Sequence, residues 1–201
     1  MRRVAVVALL ALALPIASWA SGLDLINKAG SVTISNAGIV TKGSHLVQFG
    51  NKIAPPGHAM GHVYFATGAL VSGSLQAGGT FSDVGSSFLV TGVGNYGEPK
   101  GTIFQGAFVG PIQWTLVSKN GTKLTYTLSG TIKGQIWTGA TVTGTTTQTI
   151  YSTNGQLALG SGVIHAGGTH LNTPEPGTLG LLGTGLVGIA AMVRRKLASR
   201  A

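Results

Sequence analysis

The chain has 201 residues, of which 43% are hydrophobic and only 8% are charged, and it contains no cysteine. The missing cysteines exclude disulfide bonds, thiol chemistry and cysteine-based metal sites. The formal net charge is +9, but residues 21–173 contain seven lysines, three acids and no arginine, and this lack of arginine, the usual bidentate contact to bases and phosphates, argues against nucleic acid as a partner.

The N-terminus has the three parts of a secretory signal peptide. A pair of arginines precedes an apolar run at 4–14, and the segment ends in Ser18-Trp19-Ala20. This ending fits the small-x-small rule for cleavage by signal peptidase. We therefore predict a signal helix at 1–20, cleavage after Ala20 and export of the remaining chain.

The next 145 residues are rich in glycine, threonine and serine that alternate with apolar residues, a composition typical of strands joined by tight turns. The segments predicted to be strands are 32–34, 45–49, 62–65, 88–91, 102–109, 130–137 and 147–151. We expect an all-β domain at 21–165, built as a single antiparallel sandwich or barrel-like domain, with a β-solenoid as the alternative. The glycine-rich residues 166–173 are expected to form a linker.

The clearest hairpin signal is Asn120-Gly121, which lies between two alternating segments. A three-residue loop with Gly121 in the left-handed conformation would pair Trp114 with Tyr126 and Leu116 with Leu124. That register places the apolar side chains on one face, as a half-buried pair of strands requires. Asn154-Gly155 indicates a second hairpin.

The C-terminus combines a short proline motif, an uncharged segment and a basic end. Pro174-Glu175-Pro176 precedes residues 177–193, which carry no charge, and Arg194-Arg195-Lys196 follows. A helix of that length spans about 26 Å, near the short limit for a bilayer core. We predict a transmembrane helix at about 177–193, with its basic end in the cytoplasm.

This tail resembles the PEP-CTERM sorting signal of exported bacterial proteins. Pro174, Glu175 and Pro176 match the motif of that family, and residues 194–196 match its basic stop. The resemblance implies that residues 174–201 are a sorting and anchor segment that a membrane-embedded exosortase recognises and removes. It also implies transient anchoring in the inner membrane, a final place at the cell surface or outside the cell, and an association with exopolysaccharide producers.

Catalytic motifs are missing from the body of the chain. A glycosidase usually needs two carboxylates, and the only nearby pair is Asp83 with Glu98, both in glycine-rich segments. A serine hydrolase elbow and a phosphate-binding loop are also missing. We expect no enzyme activity and no cofactor.

The histidines suggest a metal site only weakly. His58 and His62 have the spacing of metal ligands on a helix, but the surrounding prolines and glycines disfavour a helix there. A cluster formed in the folded protein with the other histidines stays an alternative to exposed loop residues, and we assign no metal.

Aromatic side chains offer a further kind of site, since a sugar ring packs on an aromatic face. Trp137 and Tyr96 are the candidates for stacking, whereas Trp114 and Tyr126 are expected in the core. The predicted function is an exported, exosortase-processed envelope or extracellular-matrix protein without catalytic activity. The alternative is a carbohydrate-binding β module that binds exopolysaccharide.

Overall fold

The computed structural model describes residues 22–152 and 160–172, and this part of the chain is built from strands without any helix. Its strands are β1 (Gly22–Lys28), β2 (Ser31–Ser35), β3 (Gly38–Thr41), β4 (Ser44–Phe49), β5 (Lys52–Ile53), β6 (Gly61–Ala66), β7 (Leu70–Ser74), β8 (Gly78–Phe81), β9 (Ser87–Gly92), β10 (Gly101–Asn120), β11 (Lys123–Ile136), β12 (Thr141–Ser152) and β13 (Ser161–Asn172). Within the described ranges, therefore, no helix is long and apolar enough to cross a membrane.

Eight of these strands close into an antiparallel barrel. The order of pairing is β1, β4, β6, β9, β10, β11, β12 and β13, and β13 pairs with β1 to complete the ring. Closure pairs both edges of the sheet, so the ring of eight has no unpaired edge. The prediction of a single antiparallel barrel-like domain is confirmed, and the β-solenoid alternative is wrong.

Most of the remaining strands lengthen the barrel wall. β2 follows β1 along the same edge of β13, and β3 pairs with both β2 and β6. β7 and β8 form a hairpin whose β8 pairs with the second half of β10. The wall is thus an up-and-down meander, with each long strand antiparallel to the next.

Alternation along the strands separates the barrel interior from its outer face. In β12 the threonines at 141, 143, 145 and 147 are exposed, while Val142, Thr146 and Gln148, which alternate with them, are buried. The interior is filled by side chains, the largest of which are Trp114 and Tyr126.

The hairpin at Asn120 was predicted at the right place but in the wrong register. Asn120 pairs with Lys123, so the turn has two residues, and Gly121 has the expected positive φ of 58°. Leu116 pairs with Tyr126, because a β-bulge at Val117 inserts an extra residue into β10. The bulge achieves what the three-residue loop was expected to do, since it keeps the apolar side chains on the inner face.

The expected linker is part of the barrel wall. β13 runs from Ser161 to Asn172 and pairs with β1, β2 and β12. One of the glycines that suggested a linker, Gly167, lies where neighbouring side chains approach the backbone. A Cβ at Gly167 would overlap the side chains of Gln148 and Asn27.

Several predictions concern residues outside those that the structure describes. These are the signal peptide at 1–20, the Asn154-Gly155 hairpin, and the sorting and anchor segment at 174–201 with its membrane helix. They stay predictions as far as their structure is concerned.

Candidate functional site

The strand order gives the barrel two distinct ends. Gly22 and Asn172 lie at one end, together with the connections at 50–60, 93–100 and 137–140. We call this the terminal end. Tight turns, such as the one at 75–77, lie at the opposite end.

The two aromatic residues predicted to stack on a ligand, Trp137 and Tyr96, both lie at the terminal end but in different contacts. Trp137 is 44% exposed and meets Phe49 edge to face, with ring centroids 5.6 Å apart. Tyr96 is half-buried beside His58, at 6.0 Å between ring centroids. The fold thus leaves part of the Trp137 ring open to solvent, and the stacking role of both residues stays a prediction.

Glu98 organises the loop that carries Tyr96. Its carboxylate accepts hydrogen bonds from the backbone N–H groups of Gly94 (2.6 Å), Asn95 (3.0 Å) and Tyr96 (3.0 Å), and the residue is only 4% exposed. Burial, the largest single influence, raises the pKa of Glu98, but these donors and its own N–H together outweigh it. The pKa therefore lies below its ordinary value of 4.5.

The carboxylate of Asp83 also accepts a hydrogen bond from a backbone N–H group, but in a different part of the barrel. Its Oδ2 atom accepts the N–H of Gly110 at 2.7 Å, where β10 bends before Pro111. Each of the two carboxylates considered as a catalytic pair thus binds backbone N–H groups of its own neighbourhood. This arrangement supports structural roles for both.

The histidines are distributed over the wall. His45 and His62 are cross-strand partners on β4 and β6, with ring centroids 5.4 Å apart, and His165 stacks on Tyr151 at 4.5 Å. In the described ranges, no group of three or more histidines, cysteines or acids is placed to hold a metal ion. Of the two histidines whose spacing is that of metal ligands on a helix, His58 lies beside the ring of Tyr96 and His62 beside that of His45.

Trp114 and Tyr126 lie in the core, as predicted. Their rings stack at 4.5 Å with planes 2° apart. The Trp114 indole donates to the carbonyl of Leu75, and the Tyr126 hydroxyl donates to the carbonyl of Gln76, each at 2.9 Å. The 75–77 turn thereby covers this end of the barrel interior.

A groove lies on the outer face of the wall, where β1, β4, β12 and β13 adjoin. Its volume is about 380 Å³. Gly168 lies between Ile26 and Thr147 in the strand pairing, and a Cβ at Gly168 would meet no atom within 4 Å. We call this feature the Gly168 groove. The polar residues that line it are Asp24, Gln48, Thr145, Thr147, Thr169 and His170, and of these only Thr169 is buried.

An ordered pair of side chains stands at the edge of the Gly168 groove. The Nδ1 atom of His170 lies 2.7 Å from the Oδ1 atom of Asp24. The pair is well exposed, at 49% for the His170 side chain and 62% for that of Asp24. Gly22 permits the arrangement, because a Cβ at that position would overlap the imidazole ring.

Sequence reasoning missed the Gly168 groove. Asp24 and His170 are 146 residues apart, and only the pairing of the first strand with the last brings them together. No local sequence motif indicates such a contact. The sequence feature that could have predicted β13 is the alternation of inward-facing and outward-facing residues along it, which its glycines obscured.

Residues 172–196 match the family model of the PEP-CTERM protein-sorting motif. The chain carries a PEP-CTERM sorting signal. Neither the curated proteins nor the solved structures contain a match to this chain.

The PEP-CTERM match begins at the last residue of the barrel. Asn172 ends β13 and is the first matched residue. The sorting signal therefore follows the closing strand directly, without the linker that the composition suggested. This signal is consistent with an exosortase substrate, as the resemblance of the tail implied.

Proposed function

We propose that the protein is an exported envelope or extracellular-matrix protein that exosortase processes and that has no catalytic activity of its own. The observation that carries this proposal is the PEP-CTERM match at 172–196. The predicted signal peptide at 1–20 supplies the route of export through signal peptidase. The predicted helix at 177–193 supplies a transient anchor in the inner membrane.

The described domain supports a non-catalytic role. Two of its three acids, Asp83 and Glu98, bind backbone N–H groups, and Glu98 is buried. The third, Asp24, pairs with His170 on the outer wall. None of these contacts places two carboxylates on opposite sides of a common cleft, as hydrolysis of a glycosidic bond requires.

Replacement of Pro174-Glu175-Pro176 by alanines tests the sorting proposal in the native host. Mass spectrometry of the mature C-terminus should show that the wild-type protein has lost the residues of the sorting and anchor segment. The variant should keep them and stay in the inner-membrane fraction. Thr178→Ala is the matched control, since it changes the neighbouring segment and leaves the motif intact. Equal mature mass and location for the wild type and the alanine variant would overturn the proposal.

A second candidate function is carbohydrate binding. The observation that favours it is the Gly168 groove, which lies on a rigid wall and is lined by a carboxylate, an imidazole, an amide and two exposed hydroxyl groups. Such groups form hydrogen bonds with sugar hydroxyls in both directions. Retention of the exported protein on the purified exopolysaccharide of its host tests this function, and passage through the matrix without delay would contradict it.

A further inference from the structure

We infer that the Gly168 groove is the carbohydrate-binding site, and that it takes one uncharged sugar residue against the outer wall of the barrel. This inference rests on the second candidate function, which it deepens by naming the site and the class of ligand. It assigns binding to polar side chains of β1, β4, β12 and β13 and not to the aromatic residues of the terminal end.

The shape of the groove is the first argument. Its volume of about 380 Å³ lies in the range of small-molecule sites, which is roughly 300–1,000 Å³. The groove exists because Gly168 has no side chain where Ile26 and Thr147 stand on either side. Ile26 is 39% exposed and offers an apolar surface to the C–H groups of a sugar ring.

The chemistry of the lining is the second argument. The nine lining residues include one carboxylate and no lysine or arginine. The carboxylate of Asp24 would repel a phosphate or another anion, and no lysine or arginine of the lining would offset that repulsion. A neutral sugar instead needs donors and acceptors side by side, which Gln48, His170 and Thr147 supply.

Unused hydrogen-bonding atoms are the third argument. Oδ1 of Asp24 binds His170, and Nε2 of Gln48 donates to the carbonyl of Gly50 at 2.8 Å. Among the described residues, the second polar atom of each of these three side chains has no such partner: Oδ2 of Asp24, Nε2 of His170 and Oε1 of Gln48. The free acceptors of Gln48 and Asp24 and the imidazole nitrogen of His170 follow one another across β4, β1 and β13, and such a series suits a pair of vicinal hydroxyl groups.

Rigidity is the fourth argument. Asp24, His170 and Thr145 form one row across three paired strands, and Ile26, Gly168 and Thr147 form the next row. Side chains on a closed sheet are held more precisely than side chains on loops. Binding would therefore cost little conformational entropy.

The test measures binding of the mature exported protein to an array of immobilised neutral oligosaccharides. Gly168→Val fills the groove from a position where a Cβ meets nothing within 4 Å. The valine side chain should keep the sugar from reaching the polar groups of the groove. Because this removes one or two hydrogen bonds to charged or polar groups, we expect the affinity for the sugars that bind the wild type to fall about tenfold or more. Ala166→Val is the matched control, because it places the same valine side chain at an exposed position of β13 outside the groove.

Two further variants make the outcome decisive. Asp24→Asn keeps the shape of the groove and removes its charge, and it should also weaken binding about tenfold; this variant decides the matter if Gly168→Val does not fold. Trp137→Ala should bind as the wild type does. If the wild type binds but only Trp137→Ala fails, carbohydrate binding stands and the groove is wrong. If the wild type binds no sugar on the array, both the function and the site are overturned.

Discussion

The two halves of the barrel have interiors of different chemistry. The buried aromatic side chains all come from β6 and β8–β11, which we call the aromatic half: Phe65, Phe81, Phe88, Phe104, Phe108, Trp114 and Tyr126. The neighbouring strands β12, β13, β1 and β4, which we call the amide half, bury a network of polar side chains: Asn27, Ser44, Thr146, Gln148 and Thr169.

The polar network of the amide half is continuous across four strands. Asn27 donates to Ser44 at 2.8 Å and to Oε1 of Gln148 at 2.9 Å. The amide of Gln148 donates to Thr146 at 2.9 Å, and the hydroxyl of Thr146 lies 2.9 Å from that of Thr169. In the described part of the chain, every buried polar side-chain atom has a hydrogen-bond partner.

The difference shows two ways to hold a barrel together. Apolar burial in the aromatic half is strong but has no direction, so it does not by itself distinguish one strand register from the next. The hydrogen bonds of the amide half distinguish one strand register from the next, because a slip of β13 would leave buried amides without partners. The pairing of β1 with β13, which closes the barrel, thus lies in the half where buried hydrogen bonds set the strand register.

The largest expected effect tests the aromatic half. Phe88 contacts Phe65, Phe104 and Phe108, with ring centroids 5.8–6.2 Å away. Phe88→Ala removes a ring from the centre of this cluster and should lower the free energy of unfolding by about 3–5 kcal/mol in urea denaturation. Ser87→Ala, at an exposed position of the same strand, should change it by less than about 0.5 kcal/mol. A loss below about 1 kcal/mol for Phe88→Ala would mean that the aromatic cluster is not tightly packed.

A pair of adjacent glycines tests the amide half. A Cβ at Gly167 would lie well under 3.0 Å from the side chains of Gln148 and Asn27, whereas a Cβ at Gly168 would meet nothing within 4 Å. Gly167→Ala should therefore separate the two amides and cost about 1–3 kcal/mol. Gly168→Ala should change the free energy of unfolding by less than about 0.5 kcal/mol.

The comparison between these two variants is direct, since they add the same methyl group one residue apart. Urea denaturation of both gives the result. Equal effects of Gly167→Ala and Gly168→Ala would contradict the proposal that the amide pair controls the packing of β13.

How much the sequence predicts also differs between the halves. In the aromatic half, the segment at 88–91 was predicted as a strand, and alternation around Trp114 indicated both a strand and its buried face, because large apolar side chains at every second position are typical of a half-buried strand. The register at Asn120 was wrong there, since a bulge such as that at Val117 leaves no local signal.

In the amide half the sequence predicts less. Residues 161–172 carry few large apolar side chains, and glycine is common in linkers as well as at close contacts between strands. Gln148, which binds Asn27, and His170, which binds Asp24, each lie more than 100 residues from their partner. A network or a groove made by barrel closure is visible only once the strands are paired.

A smaller effect concerns the charge buried beside the aromatic half, in the loop between β9 and β10. The pKa of Glu98 is lowered in the folded protein, so its contribution to stability is present above its ordinary value of 4.5 and is lost as the pH falls through the folded value. Glu98→Gln should cost about 1–2 kcal/mol near neutral pH, since the amide is a poorer acceptor for three N–H groups.

The pH dependence of that difference provides the check. Urea denaturation of the wild type and of Glu98→Gln should converge as the pH falls below 4.5, because the protonated acid and the amide are then alike. A difference that is constant from neutral to acidic pH would show that the effect comes from packing and not from the carboxylate charge.

The smallest effect tests a polar group within the aromatic half. Tyr126→Phe keeps the ring stacked on Trp114 and removes only the hydrogen bond to Gln76, so it should cost about 1 kcal/mol. Burial raises the pKa of Tyr126 above its ordinary value of 10.0. At higher pH the unfolded chain ionises first, so the wild type loses stability as the pH rises above 10.0, and the variant lacks this loss.

Urea denaturation between neutral and alkaline pH should therefore show the wild type more stable below pH 10.0 and its advantage shrinking above it. Tyr64→Phe, at an exposed position of β6, controls for loss of a hydroxyl group and should leave stability within about 0.5 kcal/mol. If Tyr126→Phe were as stable as the wild type near neutral pH, the 75–77 turn would not need its hydrogen bond. The aromatic half would then be held by packing alone, and the contrast with the amide half would be sharper than the contacts suggest.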